Sequence, residues 1–278
     1  MPRPPTRELN TPHRTFGIAA DENSQELFIS IQNPPAVIVW RKTAQGKEAP
    51  LRILEGDKTG LADAHGIALD TKNKLLYVGN RGTTSSIKPG MGFSAVPVSG
   101  EGNARIWLSP ENWSDSYWAR YVPGSGKFGP PSINVYPLKA NGNTPPVRVI
   151  QGPKTQLNWP THIHLDVAHQ ELYVTNPIDN SILVFRATDN GDAAPIRVIK
   201  GPNTKINRPH GVYVDEGNQE VVVANFGNHT ATVYRRTADG NTPPIRSIRS
   251  APDGTLALMV GASSLEYDSK RDEILAPN

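Results

Sequence analysis

Pro209-His210-Gly211-Val212-Tyr213-Val214-Asp215, followed after a turn by Val221-Val222-Val223-Ala224-Asn225, is the stretch that decides the fold. Two apolar segments flank Glu216-Gly217-Asn218, and each is long enough for a strand and too short for a helix. Outward along the chain the same pattern returns. Its closing aspartate falls at Asp21, Asp70, Asp166, Asp215 and Asp268, at intervals of 49, 96, 49 and 53 residues. A period near 49 marks a repeat architecture.

Each repeat carries four apolar segments. In the third they are Ile163–Leu165, Leu172–Val174, Ile182–Phe185 and Ile196–Ile199; in the fourth, Val212–Val214, Val221–Ala224, Thr232–Tyr234 and Ile245–Ile248. Between them stand turn sequences such as Ala140-Asn141-Gly142-Asn143 and Ala238-Asp239-Gly240-Asn241, because Gly and Asn tolerate positive φ. Four short antiparallel strands in about 40–50 residues make one blade of a β-propeller. The expected fold is all-β, with about five four-stranded blades, the last incomplete. A single domain spans 1–278, with repeats at about 12–63, 64–159, 160–208, 209–260 and a partial one at 261–278. Residues 5–13 resemble the later link 202–210, and the chain closes two strands into its fifth repeat. A fragment of a longer propeller, six-bladed for example, is the expectation.

The first two strands of each repeat are almost wholly apolar, as in Ile67-Ala68-Leu69 and Leu75-Leu76-Tyr77-Val78, which suits burial on both faces. The fourth carries a recurring arginine: Arg52, Arg148, Arg197 and Arg246. We read this column as charged protection of an exposed edge strand, with a basic functional stripe as the other reading.

The 96-residue interval contains an insertion, 83–131, between the second and third strands of the second repeat. It lacks the Asp- and Asn-terminated strands of a blade, and a loop this long is usually functional or mobile. It holds Trp107, Trp113 and Trp118, three of the five tryptophans, with Phe93, Tyr117 and Tyr121. Aromatic residues dominate binding hot spots, so these six are the candidate binding residues. A self-packed cap is the other reading. In a four-stranded blade this loop shares a face with the links between blades.

Composition excludes several classes. The chain has no cysteine, which removes disulfides, thiolate metal sites and cysteine nucleophiles. The net charge of +3 is spread out, with no basic, aromatic-interleaved run, so nucleic acid is not expected as a partner. Nothing approaches a transmembrane span and no signal-peptide pattern opens the chain. A secreted or periplasmic location is favoured, with any signal peptide absent from this chain. No nucleophile elbow, phosphate-binding loop or paired catalytic carboxylates stand out.

Histidines are the residues with a chemical alternative. His65 and His210 precede the glycine that opens a first strand, and His162 stands one position later in its copy. If they converge at the channel, three imidazoles suit zinc or another borderline metal; otherwise each serves its own inter-blade turn. The Asp column admits calcium, or carboxylates that accept N–H bonds within their own turns. The Asn column (Asn80, Asn176, Asn225, Asn278) is expected to pin the loop just after it.

The segments at 209–215, 221–225 and 231–234 resemble the NHL-repeat propellers, and the similarity covers most of the chain outside the insertion. The resemblance implies a propeller whose relatives include RNA-binding and protein-binding modules, signalling-receptor domains and lyases such as the peptide-amidating lyase. That lyase uses channel histidines on a metal, which is the basis for His65, His162 and His210 as a metal set. The leading expectation is a non-catalytic binding module, with no cofactor, taking a protein, glycan or small molecule on the insertion face. The alternative is a metal-dependent lyase or hydrolase at the channel mouth, with zinc or calcium.

Overall fold

Apolar segments bounded by turn residues become strands buried on both faces. In the computed structural model, which describes residues 7–12, 15–32, 35–82, 130–249, 252, 266–268 and 273–275, they form the strands expected of them. The first blade comprises β1 (Thr15–Asp21), β2 (Glu26–Ile31), β3 (Ala36–Arg41) and β4 (Arg52–Glu55). The second comprises β5 (Ala64–Asp70), β6 (Leu75–Asn80), β7 (Ser132–Pro137) and β8 (Arg148–Ile150). The third has β9 (Ile163–Asp166), β10 (Glu171–Asn176), β11 (Ser181–Arg186) and β12 (Arg197–Lys200). The fourth has β13 (Pro209–Asp215), β14 (Glu220–Asn225), β15 (Thr230–Arg235) and β16 (Arg246–Ile248). Each blade is an antiparallel sheet in simple chain order.

A fifth, two-stranded sheet pairs β17 (Glu266–Asp268) with β18 (Glu273–Leu275), and β17 lies against β13. In the second blade Asn80 pairs directly with Ser132, so the sheet runs on across the insertion without loss of register.

The larger hydrophobic clusters lie between blades, and two smaller ones centre on the first and the fourth blade alone. Phe28, Val37, Val39 and Leu54 of the first blade pack with Ile67, Leu76, Val78 and Tyr136 of the second. Tyr77, Ile133, Val135 and Ile150 of the second pack with Ile163, Leu172, Val174 and Phe185 of the third. Inner blades are thus covered on both sides, which is why their inner strands need no polar face.

Links between blades follow one plan. Each holds a single 3-10 turn (Asp57–Thr59, Pro153–Thr155, Pro202–Thr204) whose threonine hydroxyl donates at 2.6 Å to the carbonyl of a preceding glycine. Those glycines, Gly56, Gly152 and Gly201, sit at φ 119, 135 and 133°, a region that L side chains rarely adopt.

The inter-blade links and the second-strand ends share a face. Asn80 Oδ1 accepts the Ala62 N–H at 3.1 Å, Asn176 Oδ1 the Asn158 N–H at 2.6 Å, and Asn225 Oδ1 the Asn207 N–H at 3.1 Å. The Asn column holds the loop after it, where Asn176 Nδ2 donates to Ser181 Oγ at 3.2 Å and Asn225 Nδ2 to Thr230 Oγ1 at 3.3 Å, and each carboxamide oxygen also pins the link entering its own blade. The second of these partners was not legible in the sequence, because it lies 18 residues upstream and meets the asparagine only once the blade has folded.

Candidate functional site at the channel mouth

The opposite face is closed by its own hydrogen bonds. Asp21 accepts the Asn23 N–H at 2.9 Å, Asp70 the Asn73 N–H at 2.8 Å, Asp166 the His169 N–H at 2.9 Å and Asp215 the Asn218 N–H at 3.0 Å. These carboxylates stabilise their own turns, as the second reading of that column expected.

On the link face the repeat loses its uniformity. Seven positions before the closing aspartate stand Asp63, Trp159 and Arg208, all in the left-handed region with φ of 58, 65 and 47°. A bulky residue at positive φ is an outlier that the surrounding fold must hold in place. Five positions before the aspartate stand Phe16, His65, Thr161 and His210, and directly after the Asn column come Arg81, Pro177 and Phe226. The backbone at these sites repeats while the side chains differ from blade to blade.

Those side chains meet. Phe16 lies 3.8 Å from the His65 ring, centroid to centroid, and 5.8 Å from the Arg81 guanidinium. Arg81 is buried and lies over the Trp159 ring at 4.5 Å. Its backbone N–H donates to the Asp63 carbonyl at 3.1 Å, and Asp63 Oδ1 stands 3.6 Å from His65 Nε2. In the fourth blade His210 stacks on Phe226 at 4.8 Å, and Arg208 lies over the same ring at 5.4 Å.

The backbone of the His column cross-links the blades. Gly17 N–H donates to Ser30 Oγ at 2.7 Å, and that hydroxyl donates to the His65 carbonyl of the next blade. Thr161 and Thr175 share a hydroxyl hydrogen bond of 2.8 Å, and Thr161 reaches the His210 carbonyl at 3.4 Å. Gly17 is required here, since a Cβ would stand 2.3 Å from the His65 carbonyl oxygen.

The imidazoles themselves are held neutral. Burial, then the charge of Arg81 and the nearby His210 and His162, puts His65 well below the ordinary histidine range. Burial lowers His162 and His164 to about 4 each. Burial, then Arg81 and Arg208, lowers His210 to about 3. His162 Nδ1 accepts the Val212 N–H at 3.5 Å, and His164 meets Tyr213 edge-on at 4.8 Å. His65 therefore stands within electrostatic reach of both His162 and His210. Among the described residues no three ligand-type side chains close on one point.

Phe93, Trp107, Trp113, Tyr117, Trp118 and Tyr121 lie outside the described residues. Sequence reasoning missed Phe16, Arg81, Trp159, Arg208 and Phe226. Their signal was present: they occupy fixed repeat positions at which the residue type is not repeated.

The Arg column is corrected. Arg52 holds Glu26 with two bonds of 2.9 and 2.8 Å and donates to the Leu138 carbonyl of the next blade at 3.2 Å. Arg197 holds Glu171 at 2.9 and 2.6 Å and reaches the Arg236 carbonyl at 3.5 Å. Arg148 donates to Tyr77 Oη at 3.1 Å and to the Ala187 carbonyl at 2.9 Å. These three are clamps between blades, whereas Arg246 pairs with Glu220 of its own blade and is 54% exposed on β16, as the edge reading expected.

Comparison with known proteins adds a repeat family and a fold to this geometry. Residues 207–234 match the NHL-repeat family model. The stretch covers the end of the last link, β13, β14 and most of β15. A chain of a nidogen/laminin complex superposes with a TM-score of 0.58 at 14% identity, over 95% of this chain and 72% of that one. A functionally unknown protein from Desulfotomaculum acetoxidans gives 0.57 at 8%, over 97% and 64% of the two chains. Raptor from Chaetomium thermophilum gives 0.54 at 9%, over 92% of this chain and 18% of that one. At such identities the likeness is one of fold. No curated protein matches the sequence. Among the described residues no helix is long and apolar enough to cross a membrane.

Proposed function

We propose that the chain is a non-catalytic recognition module that engages its ligand on the link face, at the channel mouth beside the insertion. One observation carries this reading. The Asp-turn face repeats the same carboxylate hydrogen bonds in all four blades, whereas the link face presents aromatic and charged side chains that differ from blade to blade. Arg81 and Gly82 lead from this mouth into the insertion, whose six aromatic residues extend the same proposal. The NHL repeat and the propeller fold support an interaction module.

A thermal-shift screen with peptide, glycan and small-molecule panels tests the reading. A true ligand at about 100 times its dissociation constant adds about 2.7 kcal/mol of stability. That gain is expected to disappear when Thr83–Pro131 is replaced by a short linker, and again in Trp159→Ala. Ligands that stabilise both variants as well as the native chain would sink the reading.

The rival is a metal-dependent lyase or hydrolase using His65, His162 and His210. It draws on three imidazoles kept in the neutral state that a metal requires. Against it stands the buried charge of Arg81 beside two of them, which opposes a divalent cation. Metal analysis of the purified protein, with His65→Ala and His210→Ala as controls, separates the two. Stoichiometric metal lost in both variants establishes the rival.

A further inference from the structure

Two of the joints between blades carry a reactive pair. Asn141-Gly142 and Asn190-Gly191 are the chain's two Asn-Gly pairs, and they stand at the same repeat position as Gln45-Gly46 and Asp239-Gly240. In such a pair the glycine amide nitrogen can attack the asparagine side-chain carbonyl, because no side chain on the glycine hinders the approach. Here both reacting groups are held by one residue of the preceding blade. Asn141 Oδ1 accepts the Ile53 N–H at 3.2 Å, and the Gly142 N–H donates to the Ile53 carbonyl at 2.7 Å. Asn190 Oδ1 accepts the Val149 N–H at 2.9 Å, and the Gly191 N–H donates to the Val149 carbonyl at 2.7 Å. The two glycines sit at φ 54 and 66°, which glycine adopts without strain. Both asparagines are exposed, so water reaches them. The joint between the third and fourth blades shows what a product of the reaction does. Asp239 Oδ1 accepts the Val198 N–H at 2.9 Å, and the Gly240 N–H donates to the Val198 carbonyl at 2.8 Å, so a carboxylate fills the place of the carboxamide.

We infer that Asn141 and Asn190 are sites of spontaneous deamidation that the closed joints hold off, so that modification proceeds through opening of the joint. The Gly142 nitrogen gives up its proton and forms a bond to Asn141 Cγ, and the side-chain nitrogen leaves as ammonia, which closes a cyclic succinimide. Water then opens the ring at either carbonyl, to aspartate or to isoaspartate. Loss of that proton in the closed joint breaks the 2.7 Å bond and sets a negative nitrogen against the Ile53 carbonyl oxygen. Reaction therefore requires the bridge of Leu54 with Gly142, or of Ile150 with Gly191, to open first. The two products differ in consequence. Aspartate keeps the acceptor, as at Asp239. Isoaspartate adds a methylene to the main chain and carries the Gly142 N–H out of register with Ile53. The bridge of Leu9 with Gly46 is spared, because Gln45 closes a larger ring and does so more slowly.

Peptide mapping by mass spectrometry of the full chain, held in mildly alkaline buffer, tests this against synthetic peptides of residues 138–146 and 187–195. Both asparagines are expected to deamidate more slowly in the chain than in the peptides, by about tenfold or more, since local opening limits the rate. Arg52→Ala removes the clamp beside Ile53 and should speed Asn141 several-fold while leaving Asn190 unchanged. Arg148→Ala removes the clamp beside Val149 and should do the reverse. Hydrogen exchange on the native chain gives a second reading that needs no variant: the Gly142 and Gly191 amides should exchange in the same order as their asparagines deamidate. Asn141→Asp and Asn190→Asp should keep the native melting temperature, whereas the isoaspartate fraction, separated by chromatography, should melt lower. Rates in the chain equal to those in the peptides would overturn the protection. Slow rates that neither clamp variant changes, or that do not follow amide exchange, would overturn the gating by the joint.

Discussion

Asn225 is buried and bonds in two directions, accepting from the Asn207 N–H of the incoming link at 3.1 Å and donating to Thr232 Oγ1 at 2.9 Å. Asn225→Ala leaves both partners without it, and a loss of about 1–3 kcal/mol is expected in urea unfolding. The mouth histidines make a second residue-level prediction. An unfolded imidazole titrates near 6.5, whereas folded His162, His164 and His210 sit at about 4, 4 and 3. Between those limits the unfolded chain binds more protons, so stability is full above about pH 6.5 and falls as pH drops towards about 4. Melting temperatures across that window should show the decline, and His210→Gln should make it shallower. A flat profile would contradict the buried, neutral assignment. The sequence made these histidines visible through their place in the repeat. Arg81 was not visible, because Pro177 and Phe226 fill its position in the third and fourth repeats and no residue type recurs there.

The first three blades are joined to their successors by the arginines of their fourth strands. Arg197 and Glu171 are largely buried, at 17% and 13% side-chain exposure, whereas Arg246 is 54% exposed over Glu220. Arg197→Ala should therefore cost about 1–3 kcal/mol, since it removes charge-assisted bonds from a largely buried Glu171 that keeps Arg236 Nη1 at 2.8 Å. Arg246→Ala should cost under about 1 kcal/mol, as exposed pairs do. Equal losses in the two variants would refute the clamp. Bonding from Arg52, then from Lys139, holds the Glu26 carboxyl at about 2 against the pull of burial. That contribution is present above the unfolded value near 4.5 and is lost as pH falls through about 2. Glu26→Gln should flatten the acid limb of the stability profile in that range. Strand identity and order were legible in the alternation and turn chemistry. The clamp was not, because its partners lie on different strands and in the next blade. Yet Glu26, Glu171 and Glu220 each precede their arginine by 26 residues, and the second repeat lacks both the glutamate and that spacing.

At the scale of the whole molecule the blades cohere because hydrophobic clusters are shared between neighbours. Main-chain bridges repeat the same joint: Leu54 with Gly142, Ile150 with Gly191 and Ile199 with Gly240. Leu9 makes that bridge with Gly46, and it packs on Ile29, Ile38 and Trp40 of the first blade. The segment 8–10 thus stands in the place of a fourth strand. Leu9→Asp should lower the melting temperature by several degrees, at about 2–4 °C per kcal/mol for a chain of this size. The period of the motif made the propeller readable. The two unlike faces were not, because periodicity shows what the blades share, and the mouth is built from what they do not share.

Recognition at the link face is the central claim, and its most direct measurement is an amide NMR footprint of a stabilising ligand on the native chain. Perturbations are expected at Phe16, His65, Arg81, Trp159, His210 and Phe226. Perturbations confined to the turns of Asp21, Asp70, Asp166 and Asp215 would contradict it.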